Sequence, residues 1–154
     1  MNSPVEDIRE IWNNGAISPF FFDFEEVERF KKLTGAKRVV GTRWRYCEKE
    51  YQVPYYVRLL NDGSGIVHFA NGGLQSGRLV VRNGDGSQRV IIAVPNIDEN
   101  SRPENGYLSL PPSATCIDGI EWGCEGNDGY TDYLFEFDWN TGKLLRFARP
   151  SRPW

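Results

Sequence analysis

The sequence has few of the residues that most catalytic and metal sites require. Its 154 residues include one histidine, His68, and three cysteines. A catalytic triad or a cysteine–histidine pair would have to use that histidine. A zinc site needs about four closely spaced nitrogen or sulfur ligands. We therefore expect a protein that is not an enzyme and has no catalytic residue, no metal and no cofactor.

Long apolar runs are also missing. No segment approaches the roughly 20 apolar residues that span a bilayer, and the first residues lack the basic and apolar regions of a secretory signal. The cysteines, Cys47, Cys116 and Cys124, are an odd and sparse set that is typical of reduced thiols. Pairing of Cys116 with Cys124 across a bent strand stays open. We expect a cytoplasmic protein without a membrane span.

The composition is that of a packed globular protein. Hydrophobic residues make up 40% of the chain and aromatic residues 14%, which excludes a disordered chain. The length predicts a single domain, 1–154. The net charge of −3 argues against general nucleic-acid or membrane-surface binding.

Residues 1–35 carry two helix patterns. Ser3, Pro4 and Glu6 form a helix start signal, and Gly15 can end that helix. Asp23 begins a second pattern, which a second glycine closes. The apolar residues of the first pattern are Val5, Ile8, Ile11 and Trp12. The sequence therefore predicts two short N-terminal helices.

Residues 37–149 change to a period of two, the alternation of a half-buried strand. Two turns, "NDGSG" and "GDGS", separate apolar segments as in β-hairpins. We predict an α+β, mainly β, fold. In it the two helices precede a seven- to eight-stranded antiparallel meander that forms a sandwich or half-barrel, and residues 150–154 are a tail.

The charges are unevenly distributed along the chain. Residues 103–142 hold eight acidic residues and no lysine or arginine. Residues 27–58 hold nine basic and three acidic residues. The small net charge thus conceals two oppositely charged regions.

Alternation separates the rings from the acids in 132–139. It places Tyr133, Phe135 and Phe137 on one face and Asp132 and Glu136 on the other. This separation argues against an aromatic sugar-binding groove with catalytic acids beside it.

A turn at 140–142 predicts that Glu136 lies opposite Arg146. Matching of the apolar residues predicts that Glu121 lies beside or diagonal to Glu136. Glu125 and Asp128 are expected to project from an exposed glycine-rich loop.

In size, acidity, aromatic content and lack of catalytic motifs, the chain resembles the small immunity proteins of bacterial polymorphic toxin systems, of the contact-dependent inhibition or type VI kind. The resemblance implies a cytoplasmic, non-catalytic inhibitor that binds a basic toxin, such as a nuclease. Carried over, it assigns partner binding to Glu121, Trp122, Glu125, Asp128, Tyr130, Asp132, Glu136 and Asp138.

Two alternatives remain. A basic sheet face with an aromatic ring is the pattern that single-stranded nucleic acids favour, and the acidic net charge opposes it. Its residues would be Arg43, Arg45, Arg58, Arg78, Arg82 and Tyr56. The other alternative is a small hydrolase that uses a pair of carboxylates from Glu121, Glu136 and Asp138. The sequence does not predict the oligomeric state.

Overall fold

The computed structural model describes residues 4–20, 23–60, 62–70, 75–110, 115–117 and 120–149, and of 75–76, 115–117 and 120–122 it describes the backbone alone. The chain divides into two compact units. Unit 1 contains residues 1–68 and 82–87, and unit 2 contains residues 69–81 and 88–154.

Unit 1 is built on a four-stranded antiparallel sheet with the strand order β2-β1-β3-β4. A helix, α1, follows β2 in the chain, and a short pair, β5 with β6, follows β4. The bounds are β1 Glu6–Trp12, β2 Ile17–Pro19, α1 Phe24–Thr34, β3 Val39–Tyr46, β4 Lys49–Val53, β5 Arg58–Leu59 and β6 Gly65–Phe69.

Unit 2 contains a five-stranded antiparallel sheet with the order β15-β14-β13-β10-β7, and β11 pairs separately with β12. Strands β8 and β9 are neighbours in a further sheet. The bounds are β7 Gln75–Ser76, β8 Arg78–Asn83, β9 Gln88–Ala93, β10 Tyr107–Ser109, β11 Thr115–Ile117, β12 Ile120–Trp122, β13 Cys124–Asn127, β14 Asp132–Phe137 and β15 Leu144–Ala148. A short 3-10 helix covers Pro103–Asn105.

The prediction of two N-terminal helices is wrong. The segment predicted as the first helix is β1, which pairs with both β2 and β3. Its ladder with β3 is irregular between Glu6 and Arg9, and Asp7 takes a left-handed φ of 52°. Such a bulge resets the alternation of side chains. Val5 and Ile8, three residues apart, therefore both pack in the core of unit 1. Apolar residues with the same spacing line one face of a helix, which is why the sequence predicts a helix here.

The second helix is where the sequence predicts it. The Asp23 side chain caps α1 by accepting a hydrogen bond from Glu25 N at 2.7 Å. Gly35 ends the helix with a φ of 77°, and its N–H bonds to Lys31 O at 2.9 Å. A carboxylate cap and a left-handed glycine are the usual helix boundaries.

The single meander is also a wrong prediction. Fifteen strands are described, and they belong to more than one sheet. Strand β10 has β13 on one side and β7, far earlier in the chain, on the other. Turn signals indicate which strands follow each other, and they carry no information on such long-range pairing.

The core of unit 1 surrounds Trp44 of β3. Its ring is fully buried and packs with Val5, Val57 and Ile66. The indole Nε1 donates a 2.7 Å hydrogen bond to Gly84 O. Burial of a tryptophan requires such an acceptor for its N–H, so the turn at Gly84 is part of this core.

We expect Gly84→Ala to lower the free energy of unfolding by about 2–4 kcal/mol, the range for overpacking and displacement of a buried group. A methyl group on Gly84 would overlap the ring of Tyr46, and a shift of the backbone would weaken the bond from Trp44. Urea denaturation followed by tryptophan fluorescence measures the change. Gly77→Ala is the control, because no atom lies within 4 Å of the added methyl group. Equal stability of the two variants would contradict this account of the core.

Candidate functional site

Three carboxylates lie on one face of the five-stranded sheet of unit 2. Glu125 of β13 is opposite Leu134 of β14, so it shares a face with Asp132 and Glu136, which are two residues away on either side of Leu134. All three carboxylate residues are partly exposed. Arg146 of β15, opposite Glu136, is on the same face. We call Glu125, Asp132 and Glu136 the acidic face.

The aromatic rings of β14 lie on the opposite face, as the alternation predicts. Tyr133, Phe135 and Phe137 are 4%, 0% and 4% exposed. Their ring centroids are 5.7 and 5.6 Å apart in sequence order, within the range for favourable aromatic pairs. The rings are core, and the acids and the rings do not form a common groove.

The predicted pairing of Glu136 with Arg146 is confirmed. The two residues are register partners, and the guanidinium Nε donates to the carboxylate. The side chains are 34% and 45% exposed, so water screens the pair and its contribution to stability is about 0–1 kcal/mol. It neutralises one of the three carboxylates of the acidic face.

The register behind the expected contact between Glu121 and Glu136 differs from the one observed, and the contact itself stays a prediction because the side chain of Glu121 is not described. Strand β14 pairs with Cys124–Asn127, and Cys124 lies opposite Phe135. Glu121 belongs to β12, where its register partner is Cys116. The sequence offers two adjacent segments of similar pattern as partners for β14, and alternation alone does not choose between them. The side chains of Glu121, Cys116 and Trp122 lie outside the described residues.

Asp128 does not project into solvent. It is fully buried, and its carboxylate accepts hydrogen bonds from Ser101 Oγ at 2.6 Å, Tyr130 N at 2.9 Å and Thr131 N at 2.8 Å. The backbone O of Asp128 accepts from Arg102 N at 2.7 Å. A buried carboxylate requires such donors. Asp128 therefore joins the loop near residue 101 to the turn before β14.

These hydrogen bonds decide the charge of Asp128. Burial raises the pKa of a carboxyl group, but the bonds from Ser101, Thr131 and Tyr130 outweigh burial and hold the pKa of Asp128 below its ordinary value of 3.8. The carboxylate is therefore an anion that hydrogen-bond donors of its own chain stabilise. It is thus a structural residue and not part of a surface.

The partner of Asp128 was not visible in the sequence. Ser101 lies 27 residues earlier, within the long proline-containing connection. The local part of the motif was visible, since Asp-Gly-Tyr-Thr places two N–H donors within three residues of the carboxylate, as in Asx turns.

The remaining residues predicted to bind a partner differ in their surroundings. Tyr130 is 64% exposed at the turn before β14. Asp132 accepts from Asn127 Nδ2 at 2.8 Å. Asp138 holds the turn before β15 by accepting from Asn140 N at 2.8 Å. This hydrogen bond, together with weaker ones from Thr141, lowers the pKa of Asp138.

The arginines of the predicted nucleic-acid surface do not all lie on an exposed face. Arg58 is buried, at 8% exposed. Arg82 is directed at His68 and donates from Nε to His68 Nε2 at 2.9 Å. The ring of Tyr55 stacks on His68 with centroids 4.6 Å apart. His68 is therefore buried in the sheet, and its Nε2 acts as an acceptor.

The described part of the chain contains neither a membrane-spanning helix nor a metal-binding cluster. No helix there is long and apolar enough to span a bilayer, and no three His, Cys, Asp or Glu residues with described side chains cluster as metal ligands. Cys47 and Cys124 are free thiols, exposed and buried respectively.

We expect Asp128→Asn to lower the free energy of unfolding at pH 7 by about 1–3 kcal/mol, the range for disrupting buried hydrogen bonds. Because the folded-state pKa is lowered, the carboxylate stabilises the protein above the unfolded-state pKa, and this contribution is lost as the pH falls through the folded-state value. The difference between wild type and variant should therefore narrow below about pH 4. Urea denaturation at several pH values measures it.

Asp98→Asn is the matched control, because Asp98 is exposed and its side chain caps only Asn100 N, at 2.8 Å. It should change stability by less than about 1 kcal/mol. A loss in Asp98→Asn as large as that in Asp128→Asn would show that the buried carboxylate has no special role.

Comparisons with known proteins identify a similar fold. No family model matches the sequence, and no curated protein matches it. A chain of the solved structure described as "Structure of Tne2 in complex with Tni2" is similar with a TM-score of 0.61. The match covers 96% of this chain and 99% of that chain at 15% sequence identity. At this identity, the likeness establishes a shared fold over nearly the whole chain.

Proposed function

We propose that this protein binds another protein through the acidic face of unit 2 and has no catalytic role. The observation that carries the proposal is the register that brings Glu125, Asp132 and Glu136 to one side of the five-stranded sheet. Arg146, opposite Glu136, is a basic residue on the same face. A surface of one sign attracts a partner of the opposite sign and fixes its orientation.

Two features support a protein as the partner. Tyr130 lies at the turn that leads into β14, is 64% exposed, and is an aromatic residue of the type enriched at protein interfaces. The chain of similar fold comes from a complex of two proteins, Tne2 and Tni2. A basic protein surface fits both the charge of the acidic face and this neighbouring ring.

The most specific form of the proposal is an immunity protein of a bacterial polymorphic toxin system. Such a protein acts in the cytoplasm, where it binds a basic toxin such as a nuclease and blocks its action. The resemblance in size and acidity supports this role. Of the residues assigned from the sequence, the proposal keeps Glu125, Tyr130, Asp132 and Glu136. It omits Asp128, because that carboxylate is buried.

The experiment uses the product of the adjacent reading frame as the candidate partner. We expect the double variant Glu125→Lys with Asp132→Lys to weaken binding at least about tenfold, since like charges placed against each other cost several kcal/mol. Wild-type binding should weaken with added salt, because exposed charges are screened. Biolayer interferometry at low and high salt measures both effects.

The control is Glu99→Lys with Glu104→Lys, which makes the same change in net charge at exposed positions of unit 2. Equal loss of affinity in both double variants would refute the acidic face as the binding surface. Absence of binding by the wild-type chain would refute this partner. Growth of cells that produce the partner with each variant then shows whether binding neutralises a toxin.

A further inference from the structure

One end of the acidic face carries an aromatic ring in line with a carboxylate. Tyr107 of β10 is the register partner of Asn127 of β13, and Asn127 is the register partner of Asp132 of β14. Directly opposed residues of antiparallel strands point to the same face, so these three side chains form one row across the sheet. Leu108, the next residue of β10, is fully buried on the opposite face. Tyr107 is 36% exposed, and its ring therefore belongs to the face that holds Asp132.

The row is the last one before the turn that carries Tyr130. This turn joins β13 to β14, and Tyr130 is 64% exposed two residues before Asp132. Neighbouring strands are about 4.8 Å apart, so the backbones of Tyr107 and Asp132 are about 10 Å apart, with Asn127 between them. A planar group of a partner fits above Asn127, beside the ring and the carboxylate.

Asn127 positions the carboxylate of Asp132. Its Oδ1 accepts a hydrogen bond from Gly129 N at 2.7 Å, which fixes the orientation of the amide, and its Nδ2 donates to Asp132 Oδ1 at 2.8 Å. The amide is neutral, so this bond orients the carboxylate without cancelling its charge. A carboxylate that is held in this way is prepared for a bidentate donor.

Two arginines of unit 2 near this end of the sheet have acceptors of their own. Arg102 donates from Nη1 to Glu99 O at 3.1 Å and to Ser101 O at 2.7 Å. Arg146 pairs with Glu136, which is four residues along β14 from Asp132 and thus about 13 Å away. These contacts direct both guanidinium groups to acceptors other than Asp132.

We propose that the row formed by Tyr107, Asn127 and Asp132 binds an arginine of the partner protein in preference to a lysine. This inference rests on the proposed binding function of the acidic face. A guanidinium group is planar, stacks on an aromatic ring and donates two parallel N–H bonds to a carboxylate, whereas an ammonium group is a strongly hydrated point charge. Tyr107 offers the ring and Asp132 the carboxylate on the same face. The charge of the acidic face attracts either cation, and Tyr107 determines the choice between them.

The test compares two end-blocked peptides of equal charge, Gly-Arg-Gly-Arg-Gly and Gly-Lys-Gly-Lys-Gly, by NMR titration of the isotope-labelled protein at low salt. We expect wild type to bind the arginine peptide about two- to fivefold more tightly, the effect of a cation–π contact at an exposed site. Tyr107→Leu should abolish this preference, because the ring is lost while the apolar bulk remains. Tyr107→Phe should keep it, because the ring remains. The spectra also report whether each variant is folded.

Phe24→Leu is the matched control, because it removes a 76% exposed ring from α1 in the other unit and should leave the preference unchanged. Asp132→Asn keeps the shape of the side chain and removes its charge, so we expect it to weaken binding of the arginine peptide about threefold. The inference is overturned by equal binding of the two peptides to wild type, by a preference that survives Tyr107→Leu, or by an arginine peptide that binds Asp132→Asn as tightly as wild type.

The inference and the proposed function fail separately. If the full-length partner needs Glu125 and Asp132 while the two peptides bind alike, the acidic face stands as the binding surface and the arginine preference is refuted. If the peptides show the preference and its loss in Tyr107→Leu while that partner does not bind, the arginine preference stands and the proposed partner is refuted.

Discussion

The conformation of the acidic part of the chain depends on the buried carboxylate of Asp128. Three donors from two chain segments converge on it, and an ion in a low-dielectric interior is tolerated only with such compensation. The turn that carries Tyr130 and leads into β14 is fixed by these bonds. The position of the acidic face along β14 therefore follows from a carboxylate that is itself hidden from any partner. Asp128 thus fixes the backbone next to the acidic face without being part of that face.

Alternation in antiparallel strands then separates the two kinds of side chain. In unit 2 it directs the rings of Tyr133 and Phe135 inward and the carboxylates of Asp132 and Glu136 outward. In unit 1 it buries Trp44 and leaves Arg43 and Arg45 on the outer face. The same strands thus supply the hydrophobic core and the charged surfaces. Charge on these strands is not evidence of a cleft, and catalysis by carboxylate pairs needs both acids beside a bound substrate.

The sequence predicts well what depends on neighbouring residues. The boundaries of α1, the alternation in β14 and the pairing of Glu136 with Arg146 each involve residues within about one hairpin or one helix, and all are confirmed. The sequence predicts a helix in place of β1 because the bulge at Asp7 gives Val5 and Ile8 a helical spacing. A bulge is set by the strand that pairs with it, and that strand, β3, is remote in the sequence.

For the candidate surfaces, too, the sequence predicts contacts between neighbouring residues and misses those between distant ones. Local turn chemistry marks Asp128 as a turn residue, but Ser101, which completes its burial, is too distant for the sequence to indicate. The uneven distribution of charge was visible in the sequence, but its geometry was not. Glu50 and Arg9 are 41 residues apart and share a hydrogen bond, so one of the three acidic residues of the basic region pairs with an arginine from outside that region.

In both units the fold itself supplies partners for many of the charged side chains on the sheets. On the acidic face, Arg146 pairs with Glu136, and Asn127 donates to Asp132. In the sheet of unit 1, Arg9 lies opposite Arg43 and forms ion pairs with Glu50 and Asp7. Electrostatic complementarity across an interface sets orientation and specificity more than affinity. A partner of the acidic face would compete with these internal contacts, so its charges would set where it docks more than how tightly it binds.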